Sequence, residues 1–310
     1  MIIEADLSAL ISQEYPFTFQ HVIKTLPTKG KRASMLLETN LGLYVVKISD
    51  PGRDEEIIQS DTGILAFLGG YDFPAPQLLR TQNGERYLAY KDAFVYLYGF
   101  LDGKPPKPCN ALFEKIGHIL ARLHSLSAGV FGRDSSYTPE GIIEEMYAYS
   151  IRARSTDQAV LAGEILNRLD RLPSFSSLPR GLIHTDPYLD NWLESSRGEL
   201  TLIDWDDAGI GVPLLDVGYA VANLSTYPVH EAQRWGVPVT GEITFREDWA
   251  RIFLKAYEEV RPLSVLEREL LPAAMQLSIY FWDWDTKRLI EDSFARLKIL
   301  EQNFKIGSES

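Results

Sequence analysis

Apolar residues recur along this chain in two rhythms, and the switch between them divides it. Near the N-terminus, Ser34-Met35-Leu36-Leu37-Glu38-Thr39 and Leu43-Tyr44-Val45-Val46-Lys47-Ile48 are short strand-like runs. The turn signal Asn40-Leu41-Gly42 lies between them, so they predict paired strands. Asp54 to Leu68 then sets Ile57, Ile58, Ile64, Leu65 and Leu68 at mostly helical spacing, and Gly69-Gly70 ends the run. Tyr71-Asp72-Phe73-Pro74-Ala75-Pro76 is a stiff connector, followed by two further β-like runs at Glu85 to Tyr90 and Ala93 to Phe100. In Leu101-Asp102-Gly103-Lys104-Pro105-Pro106-Lys107-Pro108 a glycine and three prolines interrupt any regular element, which marks a domain boundary. Beyond it the helical rhythm takes over. Ala111 to Leu126 places Leu112, Phe113, Ile116, Leu120, Leu123 and Leu126 on one broad face. Similar patterns cover residues 139–150, 157–169, 216–224, 245–260, 265–279 and 283–304. The predicted class is α+β, with a small β-rich lobe over 1–100 and a larger, mostly helical lobe over 101–310.

Composition narrows the setting. A hydrophobic content of 45% in 310 residues can build a sizeable core. The net charge of −12 argues against a nucleic-acid partner. That charge serves solubility, or else it attracts cationic substrates. Cys109 is the sole cysteine, so no intramolecular disulfide can form and a reducing compartment is expected. The start Met1-Ile2-Ile3-Glu4-Ala5-Asp6 has no basic n-region, and no run approaches the ~18 apolar residues of a membrane span. A cytoplasmic protein with no membrane partner is the expectation.

The chemistry concentrates in His184-Thr185-Asp186-Pro187-Tyr188-Leu189-Asp190-Asn191 and, shortly after, Leu202-Ile203-Asp204-Trp205. Phosphoryl transfer needs oxygen-bearing side chains converging on one small volume. One carboxylate takes the proton of an acceptor hydroxyl, and an amide oxygen with a second carboxylate holds Mg²⁺ on nucleotide phosphates. Asp186, Asn191 and Asp204 supply that set in order. Taken singly they read as a turn residue, a loop-closing amide and a strand-end cap, but those readings do not explain the ordered set. Lys47 closes an alternating strand well ahead of the loop, where a lysine can neutralise nucleotide phosphates; an edge or solvent-facing lysine is the plain alternative. It needs an acidic partner, for which Glu55, Glu56 and Asp61 on the following helix are candidates.

The block His184-x-Asp186-x-x-x-x-Asn191, then Leu202-Ile203-Asp204-Trp205-Asp206-Asp207-Ala208-Gly209 and Gly211-Val212-Pro213-Leu214-Leu215-Asp216-Val217-Gly218, resembles the aminoglycoside phosphotransferase/choline kinase family. Tyr44-Val45-Val46-Lys47 and Tyr98-Gly99-Phe100-Leu101-Asp102-Gly103 extend the resemblance over nearly the whole chain. It implies a bilobal protein-kinase-like fold that uses ATP and Mg²⁺. Asp186 then resembles the catalytic base, Asn191 and Asp204 the Mg²⁺ ligands, and Lys47 the lysine on the ATP phosphates. Tyr98 resembles the gatekeeper, with the Gly99 carbonyl and Leu101 amide as adenine-edge contacts. His184 and Asp216 resemble the pair that braces the catalytic loop. The turn from Thr28 to Ser34 resembles the phosphate-covering loop, although it carries one glycine only. Two positions depart from the family: Asp61 stands where a Glu is usual, and Pro187 where many members have Leu.

The acceptor is less legible. Tyr280-Phe281-Trp282-Asp283-Trp284-Asp285 interleaves aromatics with carboxylates, and on a helix Trp282 and Asp285 share a face suited to an ammonium group. A helical-lobe core with surface carboxylates explains the segment equally well. Asp206 and Asp207 can draw a cationic acceptor toward Asp186, or form a solvated loop. Glu144 and Glu145 with Tyr147 and Tyr149 read as a charged helix face, and His118 and His124 as packing or surface residues. Zinc spacing and a Gly-x-Ser-x-Gly elbow are both absent. The expected activity is γ-phosphate transfer to a hydroxyl of a small molecule, whether aminoglycoside, amino alcohol, amino acid such as homoserine, or sugar. The rivals are a nucleotide-binding scaffold without catalysis and a protein kinase, the latter disfavoured by the absence of Ala-Pro-Glu.

Overall fold

The computed structural model describes residues 5–26, 32–126, 132–135, 137–152, 156–279 and 287–303. The chain begins with α1 (Ala5–Glu14), β1 (Phe19–Leu26), β2 (Ala33–Thr39), β3 (Gly42–Ile48), α2 (Glu55–Gly70), β4 (Leu78–Leu79), β5 (Leu88–Tyr90), β6 (Ala93–Gly99) and β7 (Gly103–Lys104). Then come α3 (Asn110–Ser125), α4 (Pro139–Arg152), α5 (Thr156–Leu169), β8 (Gly181–Ile183), β9 (Trp192–Ser195), β10 (Leu200–Leu202) and β11 (Gly209–Gly211). It closes with α6 (Pro213–Ser225), β12 (Thr226–Pro228), α7 (Val229–Trp235), β13 (Ile243–Phe245), α8 (Glu247–Val260), α9 (Val265–Ile279) and α10 (Lys287–Asn303). Two compact units result: residues 1–104 with 131–133 and 193–206, and residues 105–130 with 134–192 and 207–310. The chain therefore crosses between units more than once, because β9 and β10 pair with β7 in the order β10-β9-β7. Strands this short carry too few residues to show a period in the sequence.

In the first unit the main sheet runs β1-β2-β3-β6-β4, with β5 also on β6. Ser34 pairs with Lys47, and Lys47 with Tyr96, so Lys47 lies on a central strand rather than an edge. One sheet face presents Met35, Leu37, Val46, Val95 and Leu97, packed with Leu7, Ile11, Tyr15 and Phe17. Helix α1, whose buried residues are Leu7 and Ile11, thus covers that face; the pattern reading assigned no element there. Alternation puts Ser34, Val45, Lys47, Tyr96 and Tyr98 on the opposite face. Helix α2 starts at Asp54, whose carboxylate accepts from the Glu56 amide at 2.9 Å and caps the first turn.

The second unit is built around α6, every residue of which is buried. Pro213 occupies its first turn, where a missing N–H costs nothing. Its solid apolar composition hides the helical period, so the sequence suggested only 216–224. Gly218 lets α6 lie directly on α9, since a Cβ there would come within 2.5 Å of the Ala274 carbonyl carbon. Gly117 does the same for α3 on α8, where a Cβ would meet the Phe253 carbonyl oxygen at 2.5 Å. Strands β8 and β11 pair antiparallel, which brings the segment after Ile183 beside the segment before Gly209. Among the described residues, no helix is long and apolar enough to cross a membrane.

Candidate active site

In the second unit, the loop leaving β8 is held by α6. Asp216, in the first turn of that helix, accepts from the backbone amides of His184 at 2.7 Å and Thr185 at 2.8 Å. The expected pairing of His184 and Asp216 is present, made through the His184 main chain. His124 Nε2 stands 3.2 Å from the same carboxylate, which can only accept, so Nε2 carries the proton. The His124 Nδ1 is 2.8 Å from the Tyr257 hydroxyl. Arg261 donates to that hydroxyl at 3.2 Å and pairs with Glu267 at 2.6 Å. His124 is therefore a buried member of the brace behind the loop, whereas the sequence suggested only packing or surface. His118 does lie at the surface, 3.0 Å from Glu259.

Thr185 adopts φ 75°, a left-handed conformation that is costly for a β-branched residue. The turn it forms precedes Asp186, whose carboxylate is bonded at both oxygens. Asn191 Nδ2 donates to Asp186 Oδ2 at 2.9 Å and to the Asp186 carbonyl at 2.7 Å. Tyr219, from α6, donates its hydroxyl to Asp186 Oδ1 at 2.5 Å. Burial, reinforced by the Asp186 charge, pushes the Tyr219 hydroxyl well above the usual tyrosine range, so it remains a donor at neutral pH. Because both Asn191 amide hydrogens face Asp186, the Oδ1 of Asn191 is the atom left for a cation. The Pro187 carbonyl accepts from the indole of fully buried Trp192 at 3.1 Å, which fixes the loop just after Asp186.

The first unit holds Asp204 and Lys47. After β10 the chain turns at Asp204 with φ 63°, another left-handed non-glycine residue. Trp205 anchors this turn: its indole donates to the Leu202 carbonyl at 2.9 Å, and its ring meets Phe73 edge-on at 5.7 Å. The Asp204 side chain stays 58% exposed, with Oδ1 3.7 Å from Lys47 Nζ. The lysine itself is only 12% exposed and forms its short contact with Asp206 Oδ1. Burial opposes the charge on Lys47 most strongly, but the charge of Asp206, with those of Tyr98 and Asp204 and the bond to Asp206, together outweigh it and the net shift is upward. Asp206 is likewise opposed by burial, yet Lys47 and Arg32 hold its carboxyl below the usual range. Arg32 reaches Asp206 Oδ2 at 2.6 Å, and Arg133 donates to the Asp206 carbonyl at 2.6 Å.

This arrangement revises the expected partner of Lys47. Asp61 is buried on α2, but its ion pairs go to Arg53 at 3.3 Å and Arg133 at 3.9 Å. Glu55 accepts instead from the Tyr87 hydroxyl at 2.7 Å, and Glu56 is exposed. Burial, with repulsion from Asp206, raises the Asp61 carboxyl to about 7. The physical reason is reach: Asp is one methylene shorter than Glu, and two arginines lie closer to it. Asp206, expected to draw in a substrate, is thus committed to Lys47 and Arg32. Asp207 belongs to the second unit, and its carboxylate is exposed. Tyr98 pairs with Val45 on β6; burial raises its hydroxyl while the neighbouring Lys47 charge opposes the shift. Gly99 donates to the Gln77 carbonyl at 3.1 Å, and among the described residues the Leu101 amide has no protein acceptor.

A sequence profile of the phosphotransferase enzyme family, which includes the aminoglycoside phosphotransferases, matches residues 31–263. The chain belongs to this family. As a phosphotransferase it is a small-molecule kinase acting on a hydroxyl group. Homoserine kinase of Rhodospirillum rubrum is 29% identical over 266 residues, covering 82% of this chain and 78% of its own length. Amicoumacin kinase, solved with AMP-PNP, Ca²⁺ and Ami, superposes with a TM-score of 0.70 at 18% identity, covering 98% of this chain and 95% of its own. Choline kinase of Cryptosporidium parvum superposes with a TM-score of 0.64 at 13% identity, covering 96% and 94%. Both superpositions bear out the bilobal kinase-like fold expected from the motifs.

Within this phosphotransferase, Asp186 and Asn191 are joined in one unit, and Lys47, Asp204 and Asp206 in the other. The sequence reading gave Tyr219 and Arg133 no role, and did not foresee the partners of His124 and Arg32. Their partners lie far away in the chain, so no local spacing marks them. The Trp282 and Asp285 proposed for the acceptor fall outside the described residues, as does most of the turn from Thr28 to Ser34.

Proposed function

We propose that the chain is an ATP- and Mg²⁺-dependent kinase of a small alcohol that also carries an amino group, with homoserine the first acceptor to test. The observation that carries this reading is the Asp186–Asn191 couple, in which the carboxylate is held by the amide nitrogen and the amide oxygen is left over. Asp186 takes the proton of the acceptor hydroxyl. The acceptor oxygen bonds to the γ-phosphorus, the bond from that phosphorus to the β,γ-bridging oxygen breaks, and ADP leaves. Lys47 neutralises phosphate charge, while Tyr98, the Gly99 carbonyl and the Leu101 amide border adenine. The first unit serves the nucleotide and the second the acceptor.

Asn191 Oδ1 and the exposed Asp204 carboxylate are each oxygen donors of the kind Mg²⁺ prefers. Bound with the nucleotide, Mg²⁺ would neutralise charge on the transferring phosphoryl group.

For the acceptor, the homoserine kinase relatives supply the choice of amino acid. A net charge of −12 and the exposed Asp207 favour an ammonium group near the loop, since the Thr185 hydroxyl lies 3.5 Å from the Asp207 carbonyl. The free Cys109 fits a reducing cytoplasm. A coupled ADP-release screen over homoserine, amino alcohols, aminoglycosides and sugars tests the proposal. Acceptor-dependent turnover is expected, falling about 10²–10⁴-fold in Asp186→Asn. A silent library, or an unaffected variant, overturns it.

A further inference from the structure

Helix α6 touches the loop at two points one helical turn apart. Asp216 and Tyr219 stand at i and i+3, so they share a face. Asp216 grips the backbone amides of His184 and Thr185, while Tyr219 grips the side chain of Asp186. Both helix residues are fully buried, and Gly218 between them allows α6 to seat against α9 without a gap. One rigid helix therefore fixes the loop's main chain and its carboxylate together.

We propose that Tyr219 is a positioning residue for phosphoryl transfer, acting by locking the Asp186 carboxylate in the rotamer that faces the acceptor hydroxyl. This rests on Asp186 being the proton acceptor. The Asp186 side chain has two torsions to fix. Asn191 holds Oδ2 and the main-chain carbonyl, and a contact at one oxygen does not by itself fix rotation of the carboxylate. The second bond, to Oδ1, removes the rotation. A carboxylate oxygen has two lone pairs, so accepting one hydrogen bond does not stop it from taking a proton. Tyr219 touches neither substrate nor phosphate in this account. Its contribution appears wholly in the orientation of Asp186, where a small misplacement costs rate rather than binding.

The test is Tyr219→Phe, measured for kcat, KM and unfolding temperature, and again in an Asp186→Asn background. The expected result is a fall in kcat of about 10–100-fold with KM for ATP changed less than about twofold. In the Asp186→Asn background the same substitution should change the residual rate less than about twofold, because the group it positions is gone. An unchanged kcat overturns the assignment. So does a loss that matches a loss of folded protein, or one of equal size in both backgrounds. Failure of the wild type to phosphorylate any acceptor, or full activity in Asp186→Asn, would instead sink the functional reading itself.

Discussion

Lys47 is gripped by Asp206, and that carboxylate is shared with Arg32. Removing its charge leaves the partly buried Lys47 with Asp204 at 3.7 Å and Arg32 with Asp50 at 3.3 Å as their remaining acids. Asp206→Asn should therefore lower stability by about 1–3 kcal/mol, read from the urea midpoint. Asp61→Asn should cost far less at neutral pH, because Asp61 is already poorly tolerated as an anion. Its carboxyl sits at about 7, above the ordinary carboxylate value, so the folded state holds the proton more tightly than the unfolded chain. Stability from this residue is thus largest in acid and drains away as pH rises from roughly 4 to 7, then stays level. Unfolding curves across that window should show Asp61→Asn gaining on the wild type as pH increases; a constant difference would refute the assignment. At this scale the sequence displayed Asp186, Asn191 and Asp204 because they fall in order in one stretch, and Lys47 because it closes an alternating strand. It concealed Tyr219, His124, Arg32 and Arg133 because their contacts close only on folding.

Helices with a clear polar side were legible from their periodicity, as α3 and α8 illustrate, each lying within a few residues of its expected span. Elements without such contrast were not. Helix α1 buries just Leu7 and Ile11, while α6 is buried all round, so one pattern is too thin and the other too uniform. Helix α6 is nevertheless the element that holds the Asp186 loop, through Asp216 and Tyr219. Its approach to α9 has no slack, since the atoms a Gly218 methyl would meet are the carbonyl and Cβ of Ala274. Gly218→Ala should cost about 1–3 kcal/mol and reduce kcat with it, because Asp216 and Tyr219 move with the helix. Gly163 in α5 is the contrasting case: nothing lies within 4 Å of its would-be Cβ. Gly163→Ala should leave kcat alone and add about 0.5–1 kcal/mol through helix propensity. Equal melting shifts for the two variants would contradict the packing described for α6.

At the level of the whole molecule, the two-rhythm pattern anticipated a β-rich first part and a helical remainder, while the return of residues 193–206 to the first unit was invisible. A contact between segments some ninety residues apart leaves no periodic trace, as with Gly103 paired to Ser195. The reading of function gives a whole-molecule prediction as well. Mg²⁺ with a non-hydrolysable ATP analogue should raise the melting temperature, by an amount equivalent to about 2.7 kcal/mol at a hundredfold excess over Kd. EDTA should remove most of that gain. Asn191→Ala and Asp204→Ala should each blunt the magnesium-dependent part and leave the metal-free nucleotide shift in place. A nucleotide shift indifferent to EDTA would count against the oxygen donors assigned here.

The setting of Lys47 also bears on chemical labelling. Acylating reagents attack only the uncharged amine, and the Asp206 carboxylate raises the pKa that governs how much of it exists. The side chain is 12% exposed as well, so accessibility and protonation act in the same direction. In a mass-spectrometric footprint with an activated ester, Lys47 should be modified far more slowly than exposed Lys91. Asp206→Asn should speed its modification, even though no atom of the lysine has changed.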